Sequence, residues 1–327
     1  MPTGPNTSVA RPSQEVFMEM LWTELGIMFV IALRSASPLL AVVIGETLTQ
    51  RAGVINLGVE GQMLLGALTG VAVTFHTASP VMGLLAGCMA GLSLSLLHAW
   101  LVLGFKANQI ASGIAVLMLG SGISAFYGIP YVGQRIERFE SLKTSWLADI
   151  PLLGPVVSPF SPTVLITVLL IPVAGVLLYR TRWGLRWRAA GESPEISRNL
   201  GENPRRYQLI AICLGGLLSG FGGAALSVDY TANWVEGMTN GQGLLAVGLV
   251  IVARWNPWLT LPAALLFGAA QAMNLRLQSW GVDISSYLLA TLPYVLPLAV
   301  MALSYRSLRH TGGGMPEGLK AVFARSA

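Results

Sequence analysis

Stretches of about twenty apolar residues recur along this chain, and that recurrence limits its fold more than any motif does. A helix needs ~20 mainly apolar residues to cross ~30 Å of hydrocarbon, because each backbone polar group must be satisfied within the segment. Candidate spans lie at 25–47, 54–73, 81–104, 109–128, 161–179, 208–228, 243–254 (short), 258–275 and 286–305. The fold class that follows is all-α, a polytopic membrane protein with about nine transmembrane helices (roughly 8–10). Charged residues make up 11% of the chain, less than half the share in an ordinary soluble domain. That excludes a disordered chain, a nucleic-acid-binding module and an ordinary cytosolic enzyme. The N-terminal stretch lacks the basic start, short apolar core and small-residue cleavage site of a signal peptide, so no cleaved leader is expected.

The net charge of +5 matters through its address, since Arg and Lys collect in cytoplasmic loops. Residues 180–206 carry Arg180, Arg182, Arg186, Arg188, Arg198, Arg205 and Arg206 against Glu192, Glu195 and Glu202, a net of +4. Residues 306–327 carry a net of +3. Four spans separate these segments, so both face the cytoplasm, and Arg51, Lys106 and Arg254 fall on the same side. The opposite side holds 128–160, 229–242 and 1–24, none with a positive balance. The expected organisation is an extracytoplasmic tail at 1–24, a transmembrane domain at 25–305 with a cytoplasmic loop at 180–207, and a cytoplasmic tail at 306–327.

Several interruptions carry information. Gly53 through Gln62 places three Gly, Asn56, Glu60 and Gln62 inside an apolar run. Broken backbone at membrane depth is tolerated where it is buried in protein or lines a cavity. Glu60 therefore either hydrogen-bonds backbone to hold the break or meets solute directly. Gly61-Gln62-Met63-Leu64-Leu65 is echoed by Gly241-Gln242-Gly243-Leu244-Leu245. By the charge map the first leads outward and the second inward, the mark of two inverted-repeat halves with a pathway between them. Asn56, Glu60, Gln62, Asn108, Gln109, Asn240 and Gln242 are the candidate pathway groups, although Asn108 equally suits a helix cap. Gly83, Gly87 and Gly91, Gly66/Gly70 and Gly216/Gly220 form small-residue faces for close helix packing. Arg34 stands inside the first span, where it must snorkel, pair with a carboxylate, or mark a helix that begins later. Trp234, Tyr230 and Asn233 suit an interfacial aromatic belt better than a base-binding site. Cys88 and Cys213 fall in spans and read as packing residues. No P-loop, G-x-S-x-G, H-E-x-x-H or metal constellation is present.

The loop after Arg180 is punctuated as a short helix. Ser193 suits an N-cap, Pro194 the first helical position, Glu195 the positive dipole end and Gly201 the stop. Asn203-Pro204 repeats cap and start for the next span. A cytoplasmic helix at 194–200 held this way suits docking of a cytosolic partner better than lying on the membrane.

At these residues the chain resembles the permease subunits of bacterial ABC importers for simple sugars, branched-chain amino acids and nucleosides, above all the nucleoside (basic-membrane-protein type) branch. The resemblance runs over about 35–305. It is carried by Ser37-Pro38-Leu39-Leu40, by Gln50 through Ala67, by Ala107 through Gly113, by Trp183-Gly184-Leu185-Arg186 with Gly191-Glu192-Ser193-Pro194, and by Arg254-Trp255-Asn256-Pro257. Gln62 stands where the branch usually has Met, and Ile196 through Asn199 and Ala115 through Met118 also depart from its pattern.

The resemblance implies a type II-like ABC importer permease fold of two inverted halves in the bacterial inner membrane. It implies ATPase coupling through Ala190, Gly191, Glu192, Ser193, Pro194, Glu195, Ile196, Asn199 and Gly201. It also implies four kinds of partner: a cytosolic ABC ATPase, a second permease subunit (identical or paralogous), an extracytoplasmic solute-binding protein or lipoprotein, and membrane lipid, with no nucleic acid. This chain would carry no cofactor and no catalytic residue; ATP and Mg would sit on the ATPase. The solute expected is a nucleoside, otherwise a simple sugar. The alternative is a secondary transporter driven by an ion gradient, which fits inverted repeats but does not need a capped cytoplasmic helix. A membrane-embedded enzyme lacks a nucleophile, base or metal cluster.

Overall fold

The computed structural model describes residues 14–141, 159–279, 285–310 and 314–320. Expectations for residues 1–13, 142–158 and 321–327 lie outside the described residues. Among the described residues every regular element is a helix, and Val132 and Trp234 form an isolated bridge. The helices are α1 (Gln14–Arg51), α2 (Val59–Thr77), α3 (Pro80–Ala99), α4 (Gln109–Gly128), α5 (Pro162–Arg180), α6 (Arg182–Glu192), α7 (Pro194–Asn199), α8 (Pro204–Ala224), α9 (Gln242–Val252), α10 (Thr260–Ser279) and α11 (Ser286–His310). Each expected span coincides with one of these helices, and α6 and α7 fill the basic loop.

Six of the helices are long and apolar enough to cross a membrane by length and composition. Glu60 and Gln62 dilute the first turn of α2. The 11 residues of α9 give about 16 Å of helix, half a bilayer. The fold is therefore a bundle of full spans around two elements that begin inside it.

Helix α1 extends past the expected start of the first span. It has 38 residues, and residues 14–24, expected as tail, are its first three turns. That stretch contains neither Gly nor Pro, so a helix nucleated in the membrane propagates through it. Arg34 consequently does not mark a late helix start; it lies mid-helix with its side chain exposed. At the end opposite the basic loop, Arg276 of α10 pairs with Glu24 of α1. At the C-terminal boundary, α11 runs to His310, so the first residues of the expected cytoplasmic tail are helical.

The small-residue faces pack within the chain. A Cβ built on Gly220 of α8 would lie 2.2 Å from the Gly87 carbonyl oxygen of α3. One on Gly66 of α2 would lie 2.5 Å from the Gly220 oxygen, and one on Gly91 2.3 Å from the Gly216 oxygen. Three helices thus touch backbone to backbone, which only glycine permits. Trp234 corrects the aromatic-belt expectation. It is 1% exposed and packs with Leu64, Ala67, Leu68 and Val71, over Gly128 of α4, whose missing Cβ makes room for the indole. Cys88 is buried and Cys213 half-buried, and both are free thiols.

Candidate functional site

Two places carry the polar groups that the apolar bundle could have done without. The first is the basic end. Thr181 caps α6, accepting from Gly184 N at 2.9 Å, and Ser193 caps α7, accepting from Ile196 N at 3.3 Å. Pro194 follows as the first helical residue and Gly201 ends the turn at φ +81°. Asn203 precedes α8 without a side-chain cap bond. Trp187 is 1% exposed and donates from Nε1 to the Leu48 oxygen at 3.0 Å, which roots α6 in the bundle. Ala190 and Gly191 are buried, whereas Glu192, Glu195, Ile196, Asn199 and Gly201 are exposed and Ser193 and Pro194 half-buried. Ile196 and Leu200 are 60% and 76% exposed, so α7 presents apolar side chains outward.

Gly191 is a second, backbone contact between this loop and the membrane domain. A Cβ there would lie 2.1 Å from the Arg51 oxygen and 2.9 Å from Gly53 N, both backbone atoms. Arg51 itself donates from Nε to the Trp255 oxygen at 2.6 Å. The segment 314–320 closes the other side. Glu317 N donates to Glu192 at 3.1 Å, Leu319 is buried, and a Cβ on Gly318 would meet the Gly191 oxygen at 2.5 Å. Two arginines of this loop are engaged inside the chain. Arg186 pairs with Glu202 at 2.9 Å, and Arg188 lies over the Tyr179 ring at 5.1 Å. Arg198 remains exposed.

The second place is the junction of the broken segments. Between α1 and α2 the chain turns at Gly53, with φ +79°. Glu46, 1% exposed, accepts from Gln50 Nε2 at 3.1 Å and from Asn56 N at 3.3 Å. Asn56 donates from Nδ2 to Gln62 Oε1 at 3.2 Å and accepts from Gly58 N at 3.0 Å. Gln109 accepts from Ile55 N at 2.9 Å. Gln50 accepts from Trp255 Nε1 at 2.7 Å. The break is thus a hydrogen-bonded turn with its backbone donors satisfied by side chains, as buried backbone requires.

Glu60, 7% exposed, connects this turn to the second half of the chain. It accepts from Thr239 Oγ1 at 2.5 Å, from Gly241 N at 2.8 Å and from Gly243 N at 2.6 Å. The last two are orphan donors at the start of α9, and a carboxylate suits that positive helix end. Glu60 therefore holds backbone, but in the partner segment 180 residues away rather than beside it. The two echoed Gly-Gln segments meet here, about 16 Å above the last turn of α9.

Of the expected pathway residues, Asn56, Glu60, Gln62 and Gln242 come together in the buried junction. Gln109 joins from α4. Asn108 does not: it is exposed and caps α4, accepting from Ile110 N at 2.9 Å and Ala111 N at 3.2 Å. Asn240 is also exposed, strained at φ +46°, and its carbonyl accepts from Tyr294. Gln62 Nε2, Gln242 Oε1 and Glu46 Oε2 are buried with no partner among the described residues. Glu46 is the member that sequence reasoning passed over. Its signal was a lone carboxylate at the end of an apolar span, four residues before Gln50.

A multi-pass helical bundle in which a broken turn before α2 meets the start of the half-length α9, with a capped helix rooted at its basic end, defines a membrane transport subunit. The chain belongs to the family described as branched-chain amino acid transport system / permease component, whose model matches residues 28–304. It is similar to the ABC transporter permease protein TsgC13 of Haloferax volcanii, 35% identical over 298 residues, which cover 84% of this chain and 90% of that protein. It is 32% identical to the guanosine ABC transporter permease protein NupQ of Bacillus subtilis over 282 residues, 81% of this chain and 88% of NupQ. It is 29% identical to the nucleoside ABC transporter permease protein NupC of Lactococcus lactis over 283 residues, 82% and 89% of the two chains. No solved structure matches. The chain is an ABC transporter permease of the plasma membrane, a transport subunit rather than an enzyme. Permeases of this class work with ATPase and binding-protein partners in general.

Proposed function

We propose that this chain is one membrane half of an ATP-driven importer for a nucleoside, or failing that a simple sugar. An extracytoplasmic binding protein or lipoprotein would deliver the solute, and a separate ATPase, coupled through α7, would hold ATP and Mg. A second permease, identical or paralogous, would complete the pore. NupQ and NupC are named for guanosine and nucleosides, and TsgC13 carries a provisional glucose label. The junction suits an uncharged polar solute. Gln62 Nε2 and Gln242 Oε1 are a buried donor and a buried acceptor without a partner among the described residues, beside the likewise unpartnered Glu46 Oε2, while the Glu60 carboxylate is taken up by three donors.

The observation that carries the coupling reading is the backbone contact of Gly191 with Arg51 and Gly53. Closure of an ATPase dimer on α7 would press this contact. Arg51 and Gly53 flank the start of the break, so the load passes to Asn56 and Glu46, then through Glu60 to the start of α9. A packed, hydrogen-bonded route of this kind has discrete arrangements rather than a continuous range. Nucleotide would select between them by differential affinity.

The test is ATP-dependent uptake of radiolabelled guanosine by cells or proteoliposomes that hold the whole transporter. Deleting residues 194–199, or making Glu195→Arg, abolishes uptake while the protein still inserts. Wild-type uptake by an inserted deletion variant would overturn the assignment. Uptake that collapses when ion gradients are dissipated with ATP maintained would favour gradient-driven transport.

A further inference from the structure

Outside the junction and the coupling end, one polar cavity stands out. It opens near the outer end of the bundle, has a volume of about 580 Å³, and is lined by Arg34, Arg138, Phe139, Glu140, Ser161 and Asp229 among others. That volume lies within the range of small-molecule pockets. Arg34 is the one charge between Gly26 and Gly45 of α1. A cation inside a span is costly and marks function by default. Asp229 is 7% exposed and belongs to a π-helical turn, Ala225–Tyr230, that ends α8. Such turns occur frequently at functional sites.

Ser161 and Thr163, at the start of α5, both donate to Asp229 Oδ2. The carboxylate is thereby fixed in place at the edge of the cavity. Arg34 and Asp229 border the same cavity, yet neither is in an ion pair among the described residues. A cation and an anion thus line one cavity without neutralising each other among the described residues.

We propose that this cleft binds the polyhydroxylated ring of the incoming solute at the outer mouth, with Asp229 accepting from ring hydroxyls and Arg34 donating to ring oxygens. The proposal rests on the importer reading above and names the part of the solute that a nucleoside and a sugar share. Opposite fixed charges fit the chemistry of such a ring, whose hydroxyls both donate and accept. An anionic solute would face Asp229 and Glu140, and a cationic one Arg34 and Arg138. Phe139 and Val30 supply an apolar wall beside these groups, as small-molecule sites usually have.

The test is saturation-transfer NMR on the transporter purified through this chain with its co-purifying subunits, in nanodiscs, without ATP or added binding protein. Adenosine and glucose are expected to show transfer to their ring protons. Arg34→Gln and Asp229→Asn weaken the apparent affinity by roughly tenfold or more, the order expected for a lost charge-assisted hydrogen bond. 2′,3′-Dideoxyadenosine shows correspondingly little transfer to wild type. Arg34 is exposed, so its variant reports on binding even if Asp229→Asn disturbs the start of α5.

Unchanged transfer in Arg34→Gln overturns the proposal, as does equal binding of the dideoxy analogue. Leucine giving the charge-dependent signal would make the cleft a zwitterion site and also overturns it. So does an effect of both variants confined to bound lipid, read by native mass spectrometry. None of these outcomes touches the ATP dependence of uptake, so failure here and failure of the importer reading are separable.

Discussion

Glu60→Gln is the substitution that most directly tests how the two halves are joined. The carboxylate accepts three hydrogen bonds, two on Oε1 from Thr239 and Gly241 N, and one on Oε2 from Gly243 N at 2.6 Å. Glutamine retains one acceptor oxygen, so the Thr239 and Gly241 bonds survive in weaker, neutral form. Its amide NH₂ then faces the Gly243 N–H, donor against donor. Flipping the amide only moves the conflict to the Gly241 N–H, since the Thr239 hydroxyl can rotate to accept. The loss is one charge-assisted hydrogen bond plus a buried donor left unpaired, about 2–4 kcal/mol. Thr239→Val removes a different partner of the same carboxylate and costs about 1–2 kcal/mol. The two share an acceptor, so the double variant loses less than the sum, with a coupling of roughly 0.5–3 kcal/mol. Melting of the solubilised transporter gives the stability order, wild type above Thr239→Val above Glu60→Gln, and ATP-dependent uptake falls in the same order. Wild-type melting of Glu60→Gln, or strict additivity with Thr239→Val, would refute Glu60 as the tie between the halves.

Three further outcomes follow from the geometry. Gly191→Ala must move its Cβ about 1 Å off the Arg51 carbonyl, an overpacking cost of about 1–3 kcal/mol; ATPase turnover persists while uptake is lost, measured side by side in proteoliposomes. Gly220→Ala drives a methyl against the Gly87 oxygen of α3 and lowers the melting temperature, whereas Gly248→Ala, with open space around it, leaves it unchanged. Asn108→Ala removes the cap of α4 at about 1 kcal/mol and leaves initial uptake rates near wild type, since its oxygen serves Ile110 and Ala111 rather than a pathway.

Much of this was legible along the chain because membrane insertion and helix capping are local. Every expected span became a helix, and the Ser193-Pro194 punctuation became a capped α7. The misses share a cause. Residues 14–24 looked like a tail because they are polar enough to leave the bilayer, but helix propagation does not stop at the hydrocarbon edge. Trp234 looked interfacial because it sits near the end of a span, and nothing local signals that Gly128 clears space for it. Asn108 and Gln62 are similar amides beside similar apolar runs. One faces outward over a helix start, and the other is buried against Asn56.

What the sequence by itself determined is the membrane class, the spans and the family, all properties of composition and short-range pattern. What only the tertiary structure decided is which interruptions touch. Glu60 reaching Gly241 and Gly243, Gly191 lying on Arg51, and Arg34 sharing a cavity with Asp229 depend on where helices cross. Those crossings are set by glycine contacts between α2, α3 and α8 that no single segment encodes, because close backbone approach is a property of helix pairs.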